Sequence, residues 1–311
     1  MTHMPANHMT ATPLAVIHDH GTGIGIAVGD VEIASYVYGA DIPAFEAPKP
    51  YLHPMRTLSG ALVSAYRPHD HRWHKGLQMT WSHVSGQNFW GGNTYTHGQG
   101  YIPKDNVGSM RHDSFEVIEL TGAELAISES LTWVASTGEE WVSERRTLRF
   151  HGVDTGRGTW MLDFATELTN IRGEALELGS PTTHGRENAG YTGFFWRGPR
   201  GFTSGEIITA DGGGGPETMG TTASPWLAYT GKNDEVDGGA TMLVFAGTTS
   251  RGELTWFVRN DPFPAINPSP AFDEEITLAD GDSLALSHRV VVADRIWDRD
   301  EIEGFAAEHT P

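Results

Sequence analysis

Between residues 159 and 168 apolar side chains share one parity, at Trp160, Leu162, Phe164 and Leu168. That alternation is the mark of a half-buried antiparallel strand. Related β-rich runs fall at Phe115–Leu120, Glu124–Val134, Trp141–Phe150 and Thr159–Thr169, with turn-like residues 136–140 and 152–158 between them. Further strands are predicted at Ala61–Tyr66, Trp226–Tyr229, Ala240–Ala246, Leu254–Arg259 and Ser283–Ala293. Thr22–Val28 and Val31–Tyr38 flank Gly29-Asp30 and read as a hairpin. Short strands punctuated by turns predict an all-β antiparallel β-sandwich rather than βαβ units.

Three stretches break the pattern. Residues 40–57 are proline-rich, and residues 74–112 and 180–197 carry Gly, Asn, His and aromatics with little periodicity. The aromatic content argues against disorder, so these stretches read as loops packed over a site. Residues 260–270 hold four prolines, at 262, 264, 268 and 270, a density that forbids a central strand. One short C-terminal helix is expected at Asp298–Glu308, with Asp298 as N-cap. Residues 1–13 read as a disordered lead and residues 14–311 as one domain, with Asp211–Gly215 as a surface loop.

Composition narrows the function classes. The formal charge of −19 argues against nucleic acid and anionic membrane surfaces as partners, both of which need basic patches. No apolar run reaches the roughly 18 residues of a membrane span, and residues 1–12 lack a secretory pattern. A cytoplasmic location follows as the expectation. The absence of cysteine removes disulfides, thiolate metal sites and a Cys nucleophile. Gly21, Gly23 and Gly25 do not form a dinucleotide fingerprint, and neither a nucleophile elbow nor a phosphate loop occurs.

The densest chemistry lies at Arg67-Pro-His-Asp-His-Arg-Trp-His-Lys-Gly76. Histidine titrates nearest neutrality, so such a cluster points to proton transfer or metal binding. His71 and His74 are the acid/base candidates, with Arg72 and Lys75 as cations for substrate oxygens. A His/Asp centre for Zn, Fe or Mn stays open, although no His-Glu-x-x-His occurs. No organic cofactor is expected. His184 and Asp261 are further catalytic candidates. His53, Trp81, Trp90, His112, Arg186, Tyr191, Trp196 and Arg197 are candidates for substrate binding, the indoles because they often stack on sugar faces, although for any single Trp packing in the core is the commoner role.

Lys49–Arg56, Pro68–Gly76, Gly185 with Tyr191–Arg197, and Val258–Pro264 together resemble the PmoA-like bacterial family. That family is distantly similar to galactose-mutarotase-like β-supersandwiches, which act on or bind carbohydrates. The resemblance implies two large sheets face to face, a site on a concave face, and proton transfer at a sugar's anomeric centre by histidines and a carboxylate. His71 or His74 and His184 take the histidine roles, and Asp70, Glu187 and Asp261 are the candidate carboxylates.

The expected function is a carbohydrate-active enzyme using histidine acid/base chemistry, by isomerisation or by eliminative or hydrolytic cleavage. The alternatives are a non-catalytic carbohydrate-binding protein and a His-ligated metal enzyme. The expected partner is a small-molecule carbohydrate, and a homo-oligomer is possible.

Overall fold

Trp160, Leu162, Phe164 and Leu168 all enter one interior, while Met161 between them faces the opposite side of the sheet. The computed structural model describes residues 13–214, 219–221, 223–234 and 238–311. The expected N-terminal lead falls almost wholly outside them, as does part of the Asp211–Gly215 loop.

Two eight-stranded antiparallel sheets carry the fold. The first runs, in spatial order, Leu14–Asp19, Gly23–Val28, Val31–Val37, Tyr51–Met55, Leu77–Trp81, Thr192–Arg197, Ala265–Ser269 and Thr255–Arg259. The second runs Glu206–Thr209, Trp226–Lys232, Gly239–Thr249, Ser283–Ala293, Thr159–Asn170, Glu140–Asp154, Glu124–Val134 and Ser109–Thr121. The interior between them joins Leu77, Met79, Trp81, Phe194, Trp196 and Ile266 to Leu125, Ile127, Trp133, Phe150 and Val290. The all-β sandwich architecture and the C-terminal α-helix agree with the sequence pattern.

That helix, Arg299–His309, begins on a capping box. Asp298 accepts from the Glu301 amide, and Glu301 accepts from the Asp298 amide, both at 3.0 Å. Its buried Ile302, Phe305 and Ala306 pack on Met161, Trp226, Phe245 and Val291 across the outer face of the second sheet.

Three expectations are corrected. Ala61–Tyr66 is not a strand and holds only isolated bridges at Leu62 and Tyr66. The aperiodic stretches contain central strands, Leu77–Trp81 and Thr192–Arg197, buried on both faces and therefore without alternation. Ala265–Ser269 pairs on both sides despite its prolines. The ladder to Thr192–Arg197 uses only Ala265 and Ile266. Beyond them the Asn267 amide donates to the Thr192 carbonyl at 2.7 Å and accepts from the Thr192 amide at 3.3 Å, so a side chain continues the pairing next to Pro268, which has no N–H.

Candidate functional site

On the outer face of the first sheet, Phe195 and Ala265 join Trp90 and Phe263 in a second apolar cluster, with Trp73 and Tyr191 packed against it. Alternation places them there: Phe194 and Trp196 face the interior, and Phe195 and Arg197 face the other way. Beside this cluster lies a pocket of about 250 Å³. Its walls include His71, His74, His83, Ser82, Arg186 and the rings of Trp73, Trp90, Tyr95, Tyr101 and Tyr191.

The His-rich segment reaches the pocket as two consecutive turns. The His71 amide donates to the Pro68 carbonyl, the His74 amide to the His71 carbonyl, and the Arg67 amide closes the loop on the His74 carbonyl, each at 2.9 Å. Buried Glu46 anchors it, accepting from Arg67 at 2.6 and 2.8 Å and from Lys75 at 2.6 Å. Burial opposes its charge, but these two cations prevail and hold the Glu46 carboxyl below its ordinary pKa. Trp73 lies on the Gly91-Gly92 backbone. A Cβ at Gly92 would stand 2.8 Å from the indole, and φ of +72° at that position independently favours glycine. Asn88 ties the facing loop, accepting from the Trp90 and Gly91 amides at 2.9 Å and donating to the Gly92 carbonyl and Thr94.

The imidazoles occupy two stacked pairs. His71 and His74 lie 4.8 Å apart at 27°, and His83 and His184 lie 4.0 Å apart at 10°. In sequence, His71 and His74 precede Leu77–Trp81 and His83 follows it, while His184 comes from the loop before Thr192–Arg197. Arg197 donates to His74 Nδ1 at 3.2 Å, so the proton of His74 resides on Nε2. Burial, then the Arg197 charge, push the His74 pKa well below the ordinary histidine value. Burial also lowers His71, although Asp70 at 3.4 Å pulls the other way. That 3.4 Å separation is an ion-pair distance, and His71 Nδ1 has no hydrogen-bond partner. Burial, aided by His184, brings His83 down to about 3. His83 Nε2 and Ser82 Oγ are likewise buried without partners. All three histidines of the wall are therefore neutral near pH 7, with unsatisfied polar atoms among them.

Of the residues singled out from sequence, His71, His74, Trp90, Arg186 and Tyr191 line this pocket. Arg197 stands behind His74 and His184 behind His83. The others stand elsewhere. Trp81 and Trp196 belong to the interior, their indoles donating to the Gly179 and Val63 carbonyls. Lys75 is fully buried and held by Glu46 and the Arg72 carbonyl, while the Arg72 side chain is exposed and outside the lining. His53 bonds Ser64 and stacks on Tyr66. His112 pairs with buried Glu129 at 2.6 Å near the far edge of the second sheet. Asp261 is exposed and outside the pocket lining. His83, Tyr95 and Tyr101 lay within the aperiodic segment assigned to a site, but nothing in their spacing singled them out. Ser82 carried no signal at all.

Among the described residues no group of three or more His, Asp or Glu side chains is placed to hold a metal ion. No helix among them is long and apolar enough to cross a membrane. The pocket lining contains no carboxylate.

Fold and site together define a β-sandwich with an imidazole- and aromatic-walled pocket on the outer face of one sheet. The chain belongs to DUF6807, a family of unknown function, whose family model matches residues 23–307. That match carries the family assignment and does not extend to the PmoA-like name. No curated protein matches the sequence. Among solved structures, the chain is similar to GH36 alpha-galactosidase AgaB from Geobacillus stearothermophilus, at 11% identity and a TM-score of 0.43, over 90% of this chain and 41% of that one. It is also similar to galactose 1-epimerase from Lactobacillus acidophilus NCFM, at 8% identity and a TM-score of 0.35, over 91% of this chain and 98% of that one. This chain thus spans about two-fifths of the length of the α-galactosidase.

Proposed function

We propose that the pocket binds a single sugar ring and that His71 moves a proton on it, making the protein a sugar isomerase of the mutarotase or epimerase kind. The observation that carries this reading is the pocket wall itself: three imidazoles held neutral, five aromatic rings and no carboxylate. The volume of about 250 Å³ falls below the roughly 300–1,000 Å³ of pockets for drug-sized ligands. One ring fits that space better than a chain, which favours isomerisation over cleavage. Glycoside hydrolysis by paired carboxylates has no residues here to perform it.

In this reading the neutral His71 ring accepts a proton from a sugar hydroxyl or an acidic C–H and returns it to a neighbouring atom. Asp70 stabilises the imidazolium while it exists. His74, protonated on Nε2 by virtue of Arg197, donates a hydrogen bond to the oxygen on which charge develops. The aromatic rings cover the sugar faces. The residues Pro68–Gly76 and Tyr191–Arg197, which carry the PmoA-like resemblance, both border this pocket and add to the reading.

Binding without turnover is the second reading. Burial raises the Tyr101 pKa, and Arg186 is also raised because Tyr191 and Tyr101 outweigh its burial. Neither releases a proton readily, which leaves His71 without an obvious acid partner. Nuclear magnetic resonance with a panel of monosaccharides in deuterated water separates the two. Accelerated anomer exchange or deuterium incorporation supports isomerisation. Line broadening without either leaves binding alone, and neither effect for any sugar sinks both.

A further inference from the structure

The chain carries a formal charge of −19, yet no carboxylate lines this pocket. Its charged wall group is Arg186, and among the described residues no carboxylate pairs with it. Instead Arg186 donates to the Tyr101 hydroxyl and lies 4.8 Å from that ring and 5.6 Å from the Tyr191 ring. A second guanidinium, Arg197, lies behind His74, fully buried, with Nε and Nη2 unpartnered and no ion pair among the described residues. Surface arginines elsewhere in this protein, such as Arg111, Arg149 and Arg157, do hold carboxylates. A buried or half-buried guanidinium without a counter-ion favours an anion from solution.

We infer that the sugar taken by this pocket is a carboxylated one, a uronic or similar sugar acid whose carboxylate seats on Arg186. This inference rests on the proposed sugar site and adds its substrate class. Arg186 connects to the imidazoles through Tyr191 and Trp90: Tyr191 is 4.8 Å from Trp90, which is 5.8 Å from His74. A ring bound along these aromatics places its acid group by Arg186 and its reacting end by His71 and His74. The buried unpartnered Ser82 Oγ and His83 Nε2 supply further polar contacts. Arg186 is the one cation in the pocket lining, and it matches a single negative charge. Lys104 and Arg259 act on the wall residues His83 and Tyr101 from outside the lining, so a sugar phosphate, with nearly two charges, is the competing ligand for the titration.

The test is calorimetric titration of the full chain with galacturonate and glucuronate, their neutral parents galactose and glucose, and the two hexose 6-phosphates. A uronate binds about tenfold or more tighter than its neutral parent, and added salt weakens only the uronate. Arg186→Gln brings the uronate and its parent to within about twofold of each other, while Arg186→Lys retains part of the preference, with folding checked by thermal unfolding. If either variant fails to fold, the salt dependence of the wild type still decides the question. Equal binding of uronate and parent, or a preference that survives Arg186→Gln, overturns the inference and leaves the sugar site standing. Tighter binding of a phosphate overturns the carboxylate. Failure of every sugar to bind removes the sugar site, and the inference with it.

Discussion

Arg197 Nη1 donates to His74 Nδ1 across 3.2 Å, and no carboxylate intervenes. A guanidinium cannot accept, so this contact fixes His74 as a neutral ring protonated on Nε2. A carboxylate in the same place would select the opposite tautomer and raise the pKa. The arrangement makes His74 a donor and leaves the acceptor role to His71.

Nitrogen-15 spectra of the imidazoles report this directly. His74 is expected as the single Nε2–H tautomer, still neutral at about pH 6. Arg197→Met removes both the lock and the nearby charge, so the His74 pKa rises and the tautomers mix. An Nδ1–H signal for wild-type His74 would contradict the assignment.

The pH profile of turnover tests His71. Burial places its pKa below the ordinary 6.5, so activity holds from pH 7 to below 6.5 and then falls as the base is protonated. Asp70 raises that pKa, so Asp70→Asn moves the acid limb to still lower pH and slows the reaction by destabilising the imidazolium. An acid limb that moves upward, or stays fixed, would exclude Asp70 as the partner.

Strand parity was legible from sequence where one sheet face is at least partly exposed, as in residues 163–169 of Thr159–Asn170, and it extended to Met161, which the C-terminal helix covers. It failed at Leu77–Trp81 and Thr192–Arg197, whose two faces are covered by the interior and by the pocket loops. The same alternation, applied once those strands are known, sorts the aromatics: Leu77, Met79 and Trp81 share a parity, as do Phe194 and Trp196, and both sets point inward. Spacing could not bring His83 to His71, because their meeting depends on loops folding back over the sheet. Asp261 had the chemistry of a base but sits outside the pocket, which no local pattern encodes.

Acid should destabilise the fold well above the carboxylate range. Burial lowers His53 and His288 to about 4 and His83 to about 3. Unfolding restores the ordinary 6.5, so the unfolded chain binds more protons below that value. Stability is complete above pH 6.5 and drops as pH falls toward 4, by up to about 1.4 kcal/mol per pH unit for each such histidine. A melting temperature that stays level across this window would refute the burial of these rings.

Gly92→Ala should injure ligand binding by displacing Trp73, since the new Cβ meets its ring at 2.8 Å. The left-handed backbone at that position adds about 1–3 kcal/mol of strain. Titration with the best-binding sugar is the readout, and undiminished affinity would remove Trp73 from the site.

Trp81→Phe separates interior from pocket. The change forfeits the indole's hydrogen bond to the Gly179 carbonyl and opens a void, costing about 1–3 kcal/mol in denaturant unfolding. Sugar affinity should move by less than about threefold. A loss of affinity larger than the loss of stability would return Trp81 to the binding surface.

The most direct measurement is the rate of sugar interconversion by wild type and His71→Asn, followed by magnetic resonance at saturating sugar. Wild type is expected to accelerate the interconversion, and His71→Asn, which still binds the sugar, is expected to lose about 10²–10⁴-fold of that rate. Full turnover in His71→Asn, or binding by the wild type with no acceleration of any sugar, would contradict this expectation.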